Sequence, residues 1–132
     1  MKLNHFLTGI SLMLASCSTT SAPMVPAENG LDAGREFIDA CLKGDFERAS
    51  FYMLDSKENK AILENIEKEY REKDKEGRQE LRTASINIKE VSEPNDSTVL
   101  MYHSTSLDTT GKKTIIIKQN NHWLVNLNQP KQ

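Results

Sequence analysis

The chain of 132 residues holds three histidines and two cysteines, so the groups able to bind a metal or attack a carbonyl are few. His5 falls in an apolar leader and Cys17 directly after it, which leaves His103, His122 and Cys41. His103 shares one side of a period-two stretch with Val99, Met101 and Thr105, so it is expected to be half-buried where it can line a cavity. His122 adjoins a turn signal and is expected at the surface. Two histidines on separate segments, with no Cys or Asp at ligand spacing, do not make a zinc set, and no metal is expected. Cys41 sits in a helical apolar pattern with no histidine nearby in the sequence, which suits a small buried hydrophobe better than a thiolate nucleophile.

General acid–base chemistry needs a carboxylate, histidine or tyrosine within reach of the moving proton. Asp and Glu are absent from 98–107, 112–119 and 122–128, and Glu90 stands at the end of its segment. Glu36 and Asp39 fall between apolar helix positions and are expected in solvent. No catalytic residue is therefore assigned, and the chain is expected not to be an enzyme. The competing reading is a hydrolase or isomerase that pairs His103 with a helix carboxylate. Tyr52, Tyr102, His103 and Trp123 are the candidate ligand-pocket residues, with Tyr70 a further ring, although aromatic residues at periodic positions also serve as core. There is no glycine-rich phosphate loop and no Gly-x-Ser-x-Gly, so no cofactor is expected. The formal net charge is −2, and losing Lys2 with the leader makes the rest more acidic. Nucleic acid is excluded as a partner on that balance.

Met1 to His5 carries Lys2 and is followed by an apolar run over 6–14, then Ala15-Ser16-Cys17. A membrane-spanning helix takes about 20 residues, so this run is too short to cross and has the pattern of a secretory signal peptide. Leu14-Ala15-Ser16-Cys17 resembles the lipobox of bacterial lipoproteins. That resemblance implies cleavage before Cys17, a diacylglycerol on its thiol and a protein held at a membrane by acyl chains. Ser18 stands where aspartate would resemble an inner-membrane retention signal, and no acidic cluster follows. The expected address is the cell envelope, at the outer membrane facing the periplasm. An ordinary signal peptide with a coincidental cysteine is the alternative. Residues 1–16 are thus expected to be leader, 17–29 a lipidated tether and 30–132 the domain. The tether, small and polar with Pro23 and Pro26, can reach about 40 Å if fully extended.

The domain's own pattern begins with Ala33, Phe37, Ile38, Cys41 and Leu42, spaced for an amphipathic helix over 31–43. Lys43-Gly44 supplies a cation and a glycine for its end, and Asp45 a cap for a second helix carrying Phe46, Ala49, Met53 and Leu54. Asp55 or Ser56 caps a third helix through Ile62, Leu63, Ile66 and Tyr70. Its charged end over 67–76 is expected to project into solvent. Beyond Gly77 the period changes to two. Four strands are expected: around 84–89, over 98–107, 113–119 and 122–128, with turns at 93–96, 108–111 and Asn120-Asn121. Helices followed by a strand meander predict an α+β domain, with N-terminal helices packed on one face of a four-stranded antiparallel sheet.

Phe37-Ile38, the run Lys43-Gly44-Asp45-Phe46-Glu47-Arg48-Ala49, and Trp123-Leu124-Val125 in the last strand together resemble a group of small bacterial lipoproteins. Their uncharacterised domains carry a lumazine-binding label and are similar to the nuclear transport factor 2 superfamily. The resemblance covers about 31–128. It implies a curved sheet wrapped around helices into a cone whose mouth receives a small molecule or an envelope protein. The expected role is a membrane-anchored, non-enzymatic binding or accessory module.

Overall fold

The computed structural model describes residues 23–129. Residues 1–16, expected as leader, and Cys17 and Ser18, expected to direct lipidation and sorting, lie outside the described residues.

Helix α1 spans Gly30–Lys43 and starts where Asn29 accepts a 2.9 Å hydrogen bond from the Asp32 amide. It ends at Gly44, whose φ of +73° places it in the left-handed region that favours glycine. Asp45 follows at once and caps α2, Phe46–Phe51, accepting from the Arg48 amide at 3.1 Å. Stop and start signals thus sit side by side, which turns the chain sharply so that α2 packs on α1. Ser56 caps α3, Lys57–Glu72.

The charged stretch after Tyr70 does not project as one helix end. The backbone extends at Lys73 with ψ 147°, and Asp74 caps a fourth helix, α4, Lys75–Thr83, accepting from the Gly77 amide at 2.7 Å. Helix α4 packs toward α1 and half-buries Leu81. Gly77, which suggested the end of helical structure, therefore lies inside the first turn of a helix. An Asp cap can override one glycine, whose cost in a helix is only about 1 kcal/mol.

The sheet is an antiparallel meander in the order β1-β2-β3-β4, with β1 Ile86–Asn95, β2 Thr98–Thr105, β3 Lys112–Gln119 and β4 His122–Asn126. Asn120 and Asn121 have φ of 50° and 63°, as a two-residue hairpin with twisted flanking strands requires. Strand β1 runs through 93–95 where a turn was expected, and the reversal falls at Asp96-Ser97. Its register slips twice against β2, between Ile88 and Glu90 and between Ser92 and Asn95. Each slip inserts a residue, bends the edge strand and gives Pro94 a place without a ladder bond to donate. Strands β2 and β4 end earlier than the alternation suggests, at Thr105 and Asn126.

The inner sheet face presents Val99, Met101, Ile116 and Val125, all at most 2% exposed, to Ala33, Phe37 and Ala40 of α1. Burying side chains of this size contributes about 1.5–3 kcal/mol each. Gly30 permits the close approach: a Cβ there would stand 2.5 Å from Val99 Cγ2. The architecture is the expected α+β arrangement, helices on one face of a curved four-stranded antiparallel sheet.

One buried polar residue ties the layers. Asn59 on α3 is fully buried; its Nδ2 donates to the Leu54 carbonyl at 3.0 Å, and its Oδ1 accepts from the Leu127 and Asn128 amides at 3.0 and 2.9 Å. The side chain thereby satisfies backbone groups just beyond β4 that no strand partner reaches. Its position in a helix gave no sign of this, because the partners lie 68 and 69 residues away in sequence.

Candidate functional site

Helix α1 carries Phe37, Ile38, Cys41 and Leu42 past the edge of the sheet's packed centre. Helix α3 adds Ile66 and Tyr70, and α4 adds Leu81. Opposite them stand the end of β2 and the start of β3. Between these walls lies a cleft of about 400 Å³, a size at the small end of ligand pockets. The helices make it apolar; the strand ends and the β2–β3 loop give it a polar rim of His103, Thr105, Asp108, Lys112 and Thr114.

His103 is 5% exposed, and its Nε2 lies 2.9 Å from Thr114 Oγ1. Its Nδ1 has no hydrogen-bond partner among the described residues. Burial, reinforced by the nearby Lys112 ammonium, pushes the imidazole below its ordinary value of 6.5, so it is neutral at pH 7. Asp108 is held at the rim by Lys112 Nζ at 3.0 Å and by the Thr110 amide at 3.0 Å. Those contacts lower its carboxyl to about 2, so it stays ionised. Its backbone amide donates to Thr105 Oγ1 at 3.0 Å, which fixes the loop against the strand end. Cys41 is partly exposed as a whole residue, but its thiol is buried and pushed up to about 12, so it remains protonated and unreactive.

The four candidate pocket residues do not share a site. His103 lines the cleft. Tyr102, the next residue on β2, points to the outer sheet face and is 37% exposed, because alternate strand residues face opposite ways. Tyr52 and Trp123 sit at the far side of the fold, where Pro26, Ala27 and Phe51 join them. The cleft instead takes its walls from residues whose helical spacing assigns them to the core: Phe37, Ile38, Leu42, Ile66 and Tyr70. Periodicity reports that a side chain faces inward, not whether something packs against its end.

Glu36 and Asp39 are also placed differently from the expectation. Arg48 of α2 reaches both, with Nη2 on Glu36 and Nη1 3.1 Å from Asp39 Oδ2, and Lys43 Nζ adds a contact to Asp39 at 2.9 Å. The pairing is between helices, so the α1 spacing alone does not reveal it. Partial burial works against the charge on Arg48, but Glu36 and then Asp39 together outweigh it and hold the guanidinium proton more firmly than usual. Neither carboxylate lines the cleft, whose only acidic side chains among the described residues are Glu69 and Asp108. No group of three or more His, Cys, Asp or Glu that could hold a metal occurs among the described residues, and none of their helices is long and apolar enough to cross a membrane.

Among solved structures, an NTF-2-like protein of unknown function from Shewanella oneidensis MR-1 is similar, with a TM-score of 0.52 at 12% identity. The match covers 72% of this chain and 89% of that one. At that identity the likeness is one of fold, and it agrees with the cone of helices and curved sheet. No family model and no curated protein matches the chain.

Proposed function

We propose that this chain is a lipid-anchored protein of the bacterial cell envelope whose domain binds a small, largely apolar molecule in the cleft between α1, α3, α4 and the β2–β3 loop. The observation that carries the binding half is the cleft itself, apolar on its helical walls and polar at one rim, the composition that holds and orients small ligands. The anchoring half stands on Leu14-Ala15-Ser16-Cys17 at the end of a short apolar leader. A binding role suits the site better than proton transfer. His103 is tied to Thr114, Asp108 is held by Lys112 and stays ionised, and Glu36 and Asp39 are occupied by Arg48 away from the cleft. An acid–base role would have to pair His103 with Glu69, the cleft carboxylate that carries no ion pair among the described residues.

Chemical-shift mapping on residues 18–132 tests the binding half, using a panel of lumazine-like heterocycles, aromatic acids and medium-chain alcohols. At least one class should move the amides of Phe37, Leu42, His103 and Thr114 together and raise the melting temperature. A panel that shifts no cleft residue would sink it. Intact mass spectrometry of the full chain from a lipoprotein-processing bacterium tests the anchor: the expected product begins at Cys17 and carries acyl chains.

A further inference from the structure

The part of the tether within the described residues does not hang free. Tyr52 Oη donates a 2.7 Å hydrogen bond to the Val25 carbonyl, and Ala27 packs against the core. Residues 23–29 therefore form a strap over α2, and only the stretch from Cys17 to Pro23 is left to span the gap to a lipid. Six residues at full extension cover about 20 Å, half the reach of the whole tether. A domain held so closely cannot present every face to a bilayer equally.

Of the six large hydrophobic side chains exposed among the described residues, three lie together on the face nearest that anchor, while Val91, Tyr102 and Leu107 stand elsewhere. Met24 is 40% exposed, Val25 65% and Phe51 36%. Trp123 and Leu124 adjoin them beside Pro26, and the Lys118 ammonium lies 5.6 Å from the Trp123 ring centroid. Aromatic rings with a nearby lysine at an apolar edge suit the headgroup boundary of a membrane. The flanking charges, Asp45 and Glu47 beside Arg48, add no basic excess. Contact would then rest on apolar insertion rather than on attraction to anionic lipid.

The meander fixes where the cleft lies relative to this face. In an up-and-down sheet the β1–β2 and β3–β4 turns share one end, and the β2–β3 loop occupies the other. His122 and Trp123 open β4 at the first end, while His103, Thr105 and Asp108 rim the cleft at the second. The strand length between those ends is about 20 Å. None of the residues lining the cleft belongs to the strap face.

We propose that Met24, Val25 and Phe51, with Trp123 at their edge, rest on the surface of the bilayer that holds the Cys17 lipid, leaving the cleft open to the aqueous phase. This rests on the lipid anchor proposed above. The occupant is the bilayer, because the strap ends within about 20 Å of it. The chain's one tryptophan reports the contact directly.

The test uses the acylated full chain in phosphatidylcholine vesicles containing spin-labelled lipid. Quenching of Trp123 fluorescence is compared with that of a fluorophore on Thr109→Cys, at the exposed loop beside the cleft. Trp123 should be quenched at least threefold more than the Thr109 probe, each scaled to its quenching by a soluble spin label. The ratio should be insensitive to salt and fall toward one in a Val25→Asp, Phe51→Asp variant, whose changes are at exposed positions that leave the core intact. Equal quenching of the two sites in acylated, vesicle-bound protein overturns the orientation while the anchor stands. Protein that carries no acyl chain and stays off the vesicles overturns the anchor itself, and the orientation with it.

Discussion

Asn59 and His103 show how much a single buried polar group can control. Asn59 serves three backbone groups from one side chain, so Asn59→Leu leaves the Leu127 amide and the Leu54 carbonyl without their partner, while the exposed Asn128 amide keeps Asn126 Oδ1 at 3.2 Å. Each buried, unpaired group costs about 1–3 kcal/mol, so the variant should lose about 2 kcal/mol or more in urea unfolding. Asn59→Asp, which keeps the acceptor oxygens and loses the donor, should lose less. His103 carries a pH dependence whose sign follows from its lowered pKa. Below about 6.5 the unfolded chain takes up a proton that the folded imidazole resists, so stability falls as pH drops through that value. The melting temperature of the native chain should therefore decline more steeply from pH 6.5 downward than that of His103→Gln; parallel profiles would remove His103 as the cause. Neither role was legible in the sequence. The alternation correctly placed His103 on the inner face, but its pairing with Thr114 depends on the β2–β3 register.

At the scale of elements, caps decided what hydrophobic spacing left open. Gly44 and Asp45 were readable as stop and start because both act on neighbouring backbone. Gly44→Ala should destabilise the domain by about 2 kcal/mol or more in denaturant. A non-glycine residue is strained at φ +73°, and its Cβ would meet the Tyr70 ring at 2.5 Å. The junction between α3 and α4 was not read, because Asp74 lies in a run of charges that looks like one solvated helix. Asp74→Ala should cost about 1 kcal/mol and speed amide exchange chiefly within Lys75–Thr83, whose residues bury little. Exchange spreading evenly over the sheet would mean that α4 is not a separate unit of stability. The two bulges of β1 were equally invisible. A period-two pattern predicts facing only while the register holds, and Val91 returns to the inner-facing register because of the first bulge.

For the whole molecule, the cleft and the strap are products of assembly. Leu42→Trp would fill apolar space in the cleft, so it should abolish the shifts caused by any cleft ligand while the native spectrum elsewhere persists. Loss of folding would instead mean that the space is part of the core. Tyr52→Phe removes the hydrogen bond to Val25, and about 1 kcal/mol of stability with it. It should free the strap and lengthen the reach from Cys17, so that limited proteolysis cuts first between Pro23 and Asn29.

Local spacing and turn chemistry sufficed for the α+β class, the inner faces of α1, β2 and β4, the Asn120-Asn121 turn and the Gly44-Asp45 junction. Each rests on neighbours within a few residues, where spacing and backbone preference act directly. The sequence also carries the lipobox-like segment, whose meaning is chemical rather than conformational. Tertiary contacts were needed to bring Tyr52 and Trp123 to one side of the fold and send His103 to the cleft and Tyr102 to the outer sheet face, to set Glu36 and Asp39 against Arg48, and to leave a cleft between α1, α3, α4 and the β2–β3 loop. Those outcomes depend on contacts between distant elements, and on space left unfilled between them, which no local pattern encodes.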